Sequence, residues 1–354
     1  MTRPLRIPLA IPVFAALTVL AGCGEEPKGT PSDTDTSKTL DTGSSDTSLP
    51  TDTDTGPVTS TTDTQSSDTS STASTGGTGD TGSTTMGPPT SALRLATWNV
   101  ARLDEEGQGD NPRTADDLAL LGTYVDRLEA DVVALQEVRG VTGTQTIFPG
   151  TDWSAECENR DSSQSVCVVL REASGWSLTR NPDVTALNDS DPNLRQGLDV
   201  TISRPGHDAL RILAVHLKFG CFVGESYTDC GVFFEQIAVV EEWIDARAAA
   251  GEAYAVLGDF NRFMTATDSA WLELDDGYPV GADLTRSIPQ GTPTPCWSDV
   301  FTEFIDHIAL DPTSTGWLQA SDQLVYDETD FDAYYERLSD HCPIWADFQV
   351  PESP

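Results

Sequence analysis

The sequence predicts an α+β fold in which two mixed β-sheets pack face to face and helices cover them. Segments with the apolar runs or the alternation of β-strands outnumber those with helical spacing. Several predicted strands follow one another without a helical crossover, which favours mixed sheets over a parallel one. These patterns are confined to residues 93–354, which are enough for one substantial hydrophobic core.

Eight strands and two helices are predicted. The strands, in chain order, are 94–98, 132–136, 165–170, 197–203, 210–215, 253–257, 305–310 and 343–350. The first helix begins at Thr114, which is its N-cap, with Asp117 three residues later, and its apolar residues recur at helical spacing. The second helix is 233–250, and its predicted buried face consists of Ile237, Val240, Trp243 and Ile244.

The first 22 residues have the pattern of an export signal. Arg3 and Arg6 precede an apolar run, and Ala21-Gly22 precede Cys23. The run is shorter than the roughly 20 residues of a membrane-spanning helix, which disfavours that alternative. The segment before Cys23 resembles the bacterial lipoprotein signal. That resemblance implies a protein exported and anchored to the cell envelope through lipidated Cys23, at the outer membrane or cell surface, with a periplasmic orientation as the alternative.

Residues 23–92 are predicted to be a disordered tether. They are rich in Ser, Thr, Asp and Gly and have almost no large apolar side chains, so burial cannot offset the entropy of ordering them. Recurring Asp-Thr pairs raise the alternative of a calcium-binding repeat. The pairs have no fixed period and no glycine register, which disfavours that alternative.

The charge of the globular region bears on its substrate. The chain has a formal net charge of −37. The signal contributes two arginines and the tether two lysines against eleven acids, so residues 93–354 retain −30. Such a surface repels polyanions at long range, and binding of nucleic acid would require local basic groups, divalent cations or high salt.

Seven cysteines leave six after Cys23, an even number in an exported chain. The chain has no C-x-x-C motif, so we predict three disulfides rather than a metal site. Proximity supports the two local pairs, Cys157 with Cys167 and Cys221 with Cys230. Cys296 and Cys342 remain as a long-range pair.

Polar residues stand at the ends of many predicted strands. They are Asn99, Glu137, His216, Asp259, Asn261, Asp306, Asp340 and His341. Three of the four histidines, including His307, occur at such positions. Each residue alone is explained as a cap, as part of a turn, or as a buried polar group whose hydrogen bonds are made. Strands that end at the same edge of the sheets would, however, bring the whole set together.

The motifs around these residues, in order, resemble those of the endonuclease/exonuclease/phosphatase superfamily. They are Thr97-Trp98-Asn99-Val100, Leu135-Gln136-Glu137-Val138, Val215-His216-Leu217-Lys218, Gly258-Asp259-Phe260-Asn261, Ile305-Asp306-His307-Ile308 and Ser339-Asp340-His341-Cys342-Pro343-Ile344. The resemblance covers residues 93–350 and implies a four-layer α/β/β/α sandwich. It also implies metal-dependent hydrolysis of a phosphate ester by residues 93–354.

The resemblance implies a metal site formed by Asn99, Glu137 and Asp340. Hard oxygen ligands favour Mg²⁺, with Mn²⁺ or Ca²⁺ as alternatives. By the same resemblance, Asp259 and Asn261 orient or deprotonate the attacking water and contact the phosphate.

The remaining implied roles concern proton transfer and phosphate binding. His341 corresponds to the catalytic imidazole, as a general base or as a phosphate clamp, and Asp306 fixes its tautomer. His216 corresponds to a second imidazole that contacts a non-bridging oxygen or protonates the leaving group. Arg195 is assigned to phosphate binding, with a plain surface arginine as the alternative.

Three functions are compatible with the sequence. The first is an extracytoplasmic nuclease that cleaves phosphodiester bonds. The second is a phosphodiesterase or phosphatase acting on lipid headgroups or small phosphate esters, which the −30 charge favours, although no exposed aromatic hairpin for membrane insertion is predicted. The third, a non-catalytic binding module, is disfavoured because such a module has no need of the complete motif set. No protein partner is implied.

Overall fold

Two six-stranded sheets are built from the twelve strands of the described residues, which are 90–160, 162–280, 282–293, 296, 303–331 and 337–353 of a computed structural model. The strands are β1 (Thr90–Leu103), β2 (Val132–Val138), β3 (Trp153–Cys157), β4 (Ser165–Arg171), β5 (Ser177–Arg180), β6 (Leu198–Ser203), β7 (Leu210–His216), β8 (Ala253–Asp259), β9 (Thr285–Arg286), β10 (Asp306–Leu310), β11 (Leu318–Gln323) and β12 (Ile344–Pro351). The first sheet has the order β11-β12-β1-β2-β4-β3, and the second β5-β6-β7-β8-β10-β9. Each sheet contains one parallel pair, β1 with β2 and β7 with β8.

The helices connect or flank these strands. They are α1 (Ala115–Leu128), α2 (Gly140–Thr144), α3 (Cys230–Ala250), α4 (Ser269–Leu274), α5 (Pro312–Trp317) and α6 (Glu328–Phe331). Thr114 and Asp117 form the predicted capping box of α1. No helix in the described part of the chain is long and apolar enough to cross a membrane.

Three apolar clusters confirm the predicted sandwich. The central cluster joins the inner faces of both sheets, with Leu95 and Val168 from one and Leu198 and Leu257 from the other. A second cluster packs the outer face of the first sheet against α1. A third packs the outer face of the second sheet against α3 and α4. The order of layers is therefore helix, sheet, sheet, helix.

All eight predicted strands and both long helices are present. The four predicted residues of the α3 face are buried. The structure adds β3, β5, β9 and β11 and several short helices to the prediction. The three predicted disulfides are also present, and Cys157 faces Cys167 across the β3–β4 pair.

The predicted export signal lies outside the described residues. So does the predicted tether, except for its last three residues, which form the start of β1. The described residues all belong to one unit, Asp80–Pro354.

Candidate active site

A cavity of about 520 Å³ lies where the ends of β1, β2, β7 and β8 meet, a size typical of ligand sites. Its lining residues are Asn99, Arg102, Glu137, Gln164, Arg195, His216, Phe219, Phe222, Asp259, Asn261, Ile305, Asp340 and His341. The structure thus brings together the predicted site residues around one cavity. Asp306 is the exception, because it is buried and contacts the cavity through His341.

Close approach of β8 to β7 requires a glycine immediately before Asp259. Gly258 has φ of 145°, and a Cβ there would overlap the carbonyl oxygen of Val215. Only glycine avoids this clash and adopts this backbone at low cost. Asp259 and His216 are direct neighbours in the β7–β8 register, so the turn places both side chains at the same end of the sheet.

Left-handed backbone conformations cluster around the cavity. The non-glycine residues concerned are Ala101, Arg102, Glu137 and Asn261, with φ of 49°, 62°, 56° and 53°. Such conformations cost about 1–3 kcal/mol each and persist where neighbours hold them. The N–H of Ala101 donates to Oδ1 of Asn99 at 3.0 Å, and the N–H of Asn261 donates to Oδ1 of Asp259 at 2.8 Å. The polar residues of the site therefore hold its strained backbone.

His341 is fixed by a buried carboxylate. Its Nδ1 lies 2.8 Å from Oδ2 of Asp306. Ser339 ties the same loop to β1, because its hydroxyl donates to the carbonyl of Asn99 at 2.6 Å and accepts from the N–H of His341 at 3.1 Å. The hydroxyl of Tyr326 donates to the carbonyl of His341 at 2.6 Å. The ring is held with its Nε2 3.8 Å from Oδ2 of Asp259.

Asp259 is the central carboxylate of the cavity. Its Oδ2 accepts from Nδ2 of Asn99 at 3.0 Å and lies 3.5 Å from Nε2 of His216. The side chain is only 2% exposed. One buried carboxylate therefore lies within reach of an amide and two imidazoles.

Burial and neighbouring charges shift the pKa values of these groups in different directions. Burial raises the pKa of Asp259 to about 7, although His341 acts in the opposite sense. Burial alone would lower the pKa of His341, but the charges of Asp306 and Asp259 outweigh it and raise the pKa to about 10. Burial, followed by the charge of Arg195, lowers the pKa of His216 well below its usual range. At neutral pH the site combines a protonated His341 with a neutral His216.

Glu137 is well placed to bind a cation. Its side chain is 20% exposed, and its nearest basic groups are Nε of Arg102 at 3.8 Å and Nε2 of His216, which is neutral, at 3.9 Å. No hydrogen bond to its carboxylate is found among the described residues. Asn99 and Asp340 contribute further oxygen atoms to the same cavity. This donor set fits a hard cation such as Mg²⁺.

A second group of donors also has the composition of a metal site. Asp259, Asp306 and His341 offer ligand atoms within 4.8 Å of one another. A cation bound by all three would have to replace the 2.8 Å hydrogen bond between Asp306 and His341. A cation held by all three residues and the hydrogen bond that fixes His341 therefore exclude one another.

Arg195 and Asn261 both bind backbone carbonyls. Arg195 is buried, and it donates through Nε to His216 at 3.0 Å and through Nη2 to Leu217 at 2.7 Å. Nδ2 of Asn261 donates to the same carbonyl of Leu217 at 3.1 Å. These contacts fix the backbone that carries His216. The phosphate contacts assigned to Arg195 and Asn261 stay predictions.

Several lining residues were not identified from the sequence. Arg102, Gln164, Phe219 and Phe222 are among them. Among them, Phe219 is 61% exposed at the cavity. The expectation that the chain has no aromatic hairpin for membrane insertion stays a prediction. The sequence signal for the two aromatic residues was their position. Phe219 and Phe222 come directly after the His216 motif, one on each side of Cys221.

His307 does not belong to the site. It is buried, and its Nε2 lies 3.0 Å from the carbonyl of Arg262. Asp306 and His307 are adjacent in β10, and successive strand residues point to opposite faces. Asp306 therefore contacts His341 while His307 packs edge-on against Phe260.

Comparisons with known proteins agree with this architecture. The endonuclease/exonuclease/phosphatase family matches residues 96–341, which is more than half of the chain. A comparison with curated proteins gives no match.

Similar solved structures include three from different organisms. The human Nocturnin catalytic domain with bound sulfate is 14% identical, with 74% of this chain and 96% of that chain covered and a TM-score of 0.52. D. rerio TDP2 complexed with a single-strand DNA product is 18% identical, with 73% and 99% covered and a TM-score of 0.51. An endonuclease/exonuclease/phosphatase from Bacteroides vulgatus is 17% identical, with 73% and 99% covered and a TM-score of 0.52. At these identities the likeness establishes the fold alone.

The family match contains all of the strand-end polar residues, from Asn99 to His341, and the two-sheet sandwich agrees with it. The chain belongs to the endonuclease/exonuclease/phosphatase family, whose members are hydrolases of phosphate esters.

Proposed function

We propose that this protein is a divalent-cation-dependent nuclease that cleaves phosphodiester bonds outside the cytoplasm. The observation that best supports hydrolysis is the buried chain of contacts from Asp306 through His341 to Asp259, facing one cavity with Glu137 at its wall. Hydrolysis of a phosphodiester requires a positioned water, a proton acceptor and donors for the developing charge. The cavity contains a group for each of these tasks.

Asp259 accepts the proton of the attacking water. Its pKa of about 7 lies close to neutral pH, where a general base is most effective. Asn99 and the backbone N–H of Asn261 hold the carboxylate in place. As the water oxygen bonds to phosphorus, its proton passes to Asp259. The bond from phosphorus to the leaving oxygen breaks, and the leaving oxygen keeps the bonding electron pair and takes a proton from solvent water.

His341 acts as a hydrogen-bond donor to the phosphoryl group. Its pKa, raised to about 10, keeps it protonated at neutral pH, and Asp306 occupies its Nδ1. Nε2 is therefore the donor that remains for a phosphoryl oxygen. This favours the phosphate-clamp role over the general-base role.

His216 is neutral at neutral pH because its pKa lies well below the usual range. It therefore orients a water or a phosphoryl oxygen by hydrogen bonding and does not protonate the leaving group. Arg195 positions it through the carbonyls of His216 and Leu217.

Glu137, Asn99 and Asp340 would hold the divalent cation. When bound, such a cation polarises the phosphoryl oxygens and neutralises their charge. Mg²⁺ is the proposed ion, with Mn²⁺ or Ca²⁺ as alternatives.

The proposed location is the cell envelope. Lipidation of Cys23 would anchor the chain, and residues 23–92 would act as a flexible tether that gives the enzyme reach to its substrate. Under this proposal nucleic acid is the substrate, and the membrane is contacted through the lipid.

A second candidate is hydrolysis of lipid headgroups or small phosphate esters. The −30 charge of residues 93–354 favours it, because that charge repels a polyanion. Exposed Phe219, Val223 and Tyr227 on one loop offer apolar contacts to a lipid.

A parallel substrate panel tests the proposal. The purified protein is incubated with Mg²⁺ or Mn²⁺ and plasmid DNA, RNA, bis-p-nitrophenyl phosphate or phospholipid vesicles. We expect cleavage of DNA or RNA together with the small diester. Turnover of vesicles without cleavage of nucleic acid would replace the nuclease proposal with the second candidate.

A further inference from the structure

An exposed aromatic ring stands at the wall of the catalytic cavity. Phe219 follows His216 by three residues, is 61% exposed and lines the same cavity as Asp259. An aromatic side chain beside a few polar groups at a cavity is typical of a ligand site.

Two further aromatic residues support this ring. Phe222 meets Phe219 edge to face, with ring centroids 5.0 Å apart and an interplanar angle of 89°. Phe222 stacks in turn on Phe263 at 6.2 Å and 29°. The N–H of Phe263 donates to the carbonyl of Phe222 at 3.0 Å. Phe219 therefore rests on a packed base, and most of its surface is exposed at the cavity.

The loop that carries these rings is held on both sides. The Cys221–Cys230 disulfide closes it. Arg262, fully buried and paired with Asp268, donates to the carbonyls of Cys221 at 2.8 Å and Gly224 at 2.9 Å. A preorganised ring loses little conformational entropy when a ligand binds.

Lys218 adds a contact on the other side of Phe219. Its Nζ lies 2.8 Å from Oδ1 of Asp229 and donates to the carbonyl of Phe219 at 3.2 Å. The backbone of Phe219 is thus fixed next to the cavity.

A ligand group that packs on Phe219 must be apolar and flat, and it must be joined to a phosphate. A nucleobase meets these conditions, because its π-face stacks on aromatic side chains and a sugar links it to the phosphorus. Asp229 is paired with Lys218, which leaves Glu225 as an acidic group on the same loop. Glu225 and the acidic domain oppose insertion into an anionic membrane. Inside a duplex, the neighbouring bases cover both faces of a base. The favoured ligand therefore has an unpaired base.

We propose that Phe219 forms a base-stacking subsite next to the phosphate site, so that the preferred substrates are nucleotide-type phosphate esters with unpaired bases. The inference rests on the proposed function and specifies its substrate class.

Equilibrium binding tests the subsite without turnover. The full-length protein is titrated in Mg²⁺ with thymidine 5′-phosphate and with 2-deoxyribose 5-phosphate, which has a hydroxyl group in place of the base. We expect the wild type to bind the nucleotide about tenfold more tightly. Phe219→Ala should remove this preference, and Phe219→Trp should keep it.

Tyr227→Ala is the matched control. Tyr227 is 56% exposed on the same loop but does not line the cavity, so its removal should leave the preference unchanged. Lack of any preference in the wild type, or a preference that survives in Phe219→Ala, would overturn the inference. Loss of phosphatidylcholine vesicle binding in Phe219→Ala with an unchanged nucleotide preference would also overturn it, in favour of membrane contact.

The binding result is independent of hydrolysis. A protein that shows the base preference but cleaves no phosphate ester would refute the proposed function and leave the subsite standing. A protein that hydrolyses bis-p-nitrophenyl phosphate but shows no base preference would refute the subsite alone.

Discussion

Oδ2 of Asp306 lies 2.8 Å from Nδ1 of His341, and both side chains are buried where β10 meets the loop before β12. The carboxylate fixes one tautomer and one ring orientation, which leaves Nε2 for the cavity. The pair links two segments that are 35 residues apart in the chain.

Asp306→Asn should therefore reduce kcat by about 10²–10⁴-fold with little change in KM, because the amide no longer enforces the tautomer or stabilises the imidazolium. Steady-state kinetics with bis-p-nitrophenyl phosphate would measure this. Asp152→Asn, an exposed site away from the cavity, is the control. An Asp306→Asn enzyme with wild-type kcat would show that the pair has only a structural role.

Glu137→Gln should weaken cation binding. The amide removes the charge of a carboxylate that has no hydrogen-bond partner among the described residues. We expect the Mg²⁺ concentration for half-maximal activity to rise by more than about tenfold, with an unchanged melting temperature. Activity titrated with Mg²⁺ after EDTA treatment would measure the shift. Glu105→Gln, outside the cavity, should match the wild type, and an unshifted Glu137→Gln curve would contradict the cation assignment.

Gly258→Ala should destabilise the fold. A Cβ there would overlap the carbonyl of Val215, and the φ of 145° is unfavourable for alanine. We expect a loss of about 3 kcal/mol or more in the free energy of unfolding. Gly122, inside α1 with nothing within 4 Å of an added Cβ, is the matched control, and its replacement by alanine should stabilise by about 0.5–1 kcal/mol. Urea denaturation would measure the free energy of unfolding of both variants. An equal change in the two would refute the explanation that Gly258 is required by the close approach of β8 to β7.

Glu241 makes the stability pH-dependent. Burial, followed by the charge of Asp245, raises the pKa of Glu241 from its ordinary 4.5 to about 8, and its buried Oε2 has no hydrogen-bond partner within the described part of the chain. The folded protein then holds this proton more tightly than the unfolded chain, so the free energy of unfolding falls as the pH rises from about 4.5 to about 8.

Glu241→Gln should remove this fall in the free energy of unfolding at higher pH. Its melting temperature should exceed that of the wild type by a few degrees above about pH 8, and the difference should shrink towards about pH 5. Thermal unfolding across this range would measure it. Glu242→Gln, at the exposed neighbouring position, should show no such trend, and a pH-independent difference for Glu241→Gln would argue against burial of an ionised carboxylate.

Much of the fold was predictable because its central strands are apolar and its two long helices bury apolar residues at helical spacing. β2 and β8 are almost entirely buried, and their apolar runs identify them in the sequence. The strands missed include β5 and β11, most of whose residues are exposed or half-buried. Such strands carry little periodicity, and hydrogen bonding to a neighbouring strand defines them.

The site was predictable as a set of residues but not as a set of contacts. The order of the motifs identified Asn99, Asp259 and His341, and the cavity brings them together. That Arg195 binds backbone carbonyls could not be inferred. Every residue has a backbone carbonyl, and only the fold determines which carbonyls lie near Arg195. The exposure of Phe219 depends on how its loop folds back over Arg262, which composition does not reveal.

The most direct test of the central claim is the initial rate of bis-p-nitrophenyl phosphate hydrolysis by wild type and Asp259→Asn. With Mg²⁺ or Mn²⁺ we expect the wild type to release p-nitrophenol and EDTA to abolish the reaction. Asp259→Asn, which keeps the shape of the side chain but removes its basicity, should be slower by about 10²–10⁴-fold at an unchanged melting temperature. An inactive wild type, or an Asp259→Asn protein as active as the wild type, would contradict the claim that this cavity hydrolyses phosphate esters.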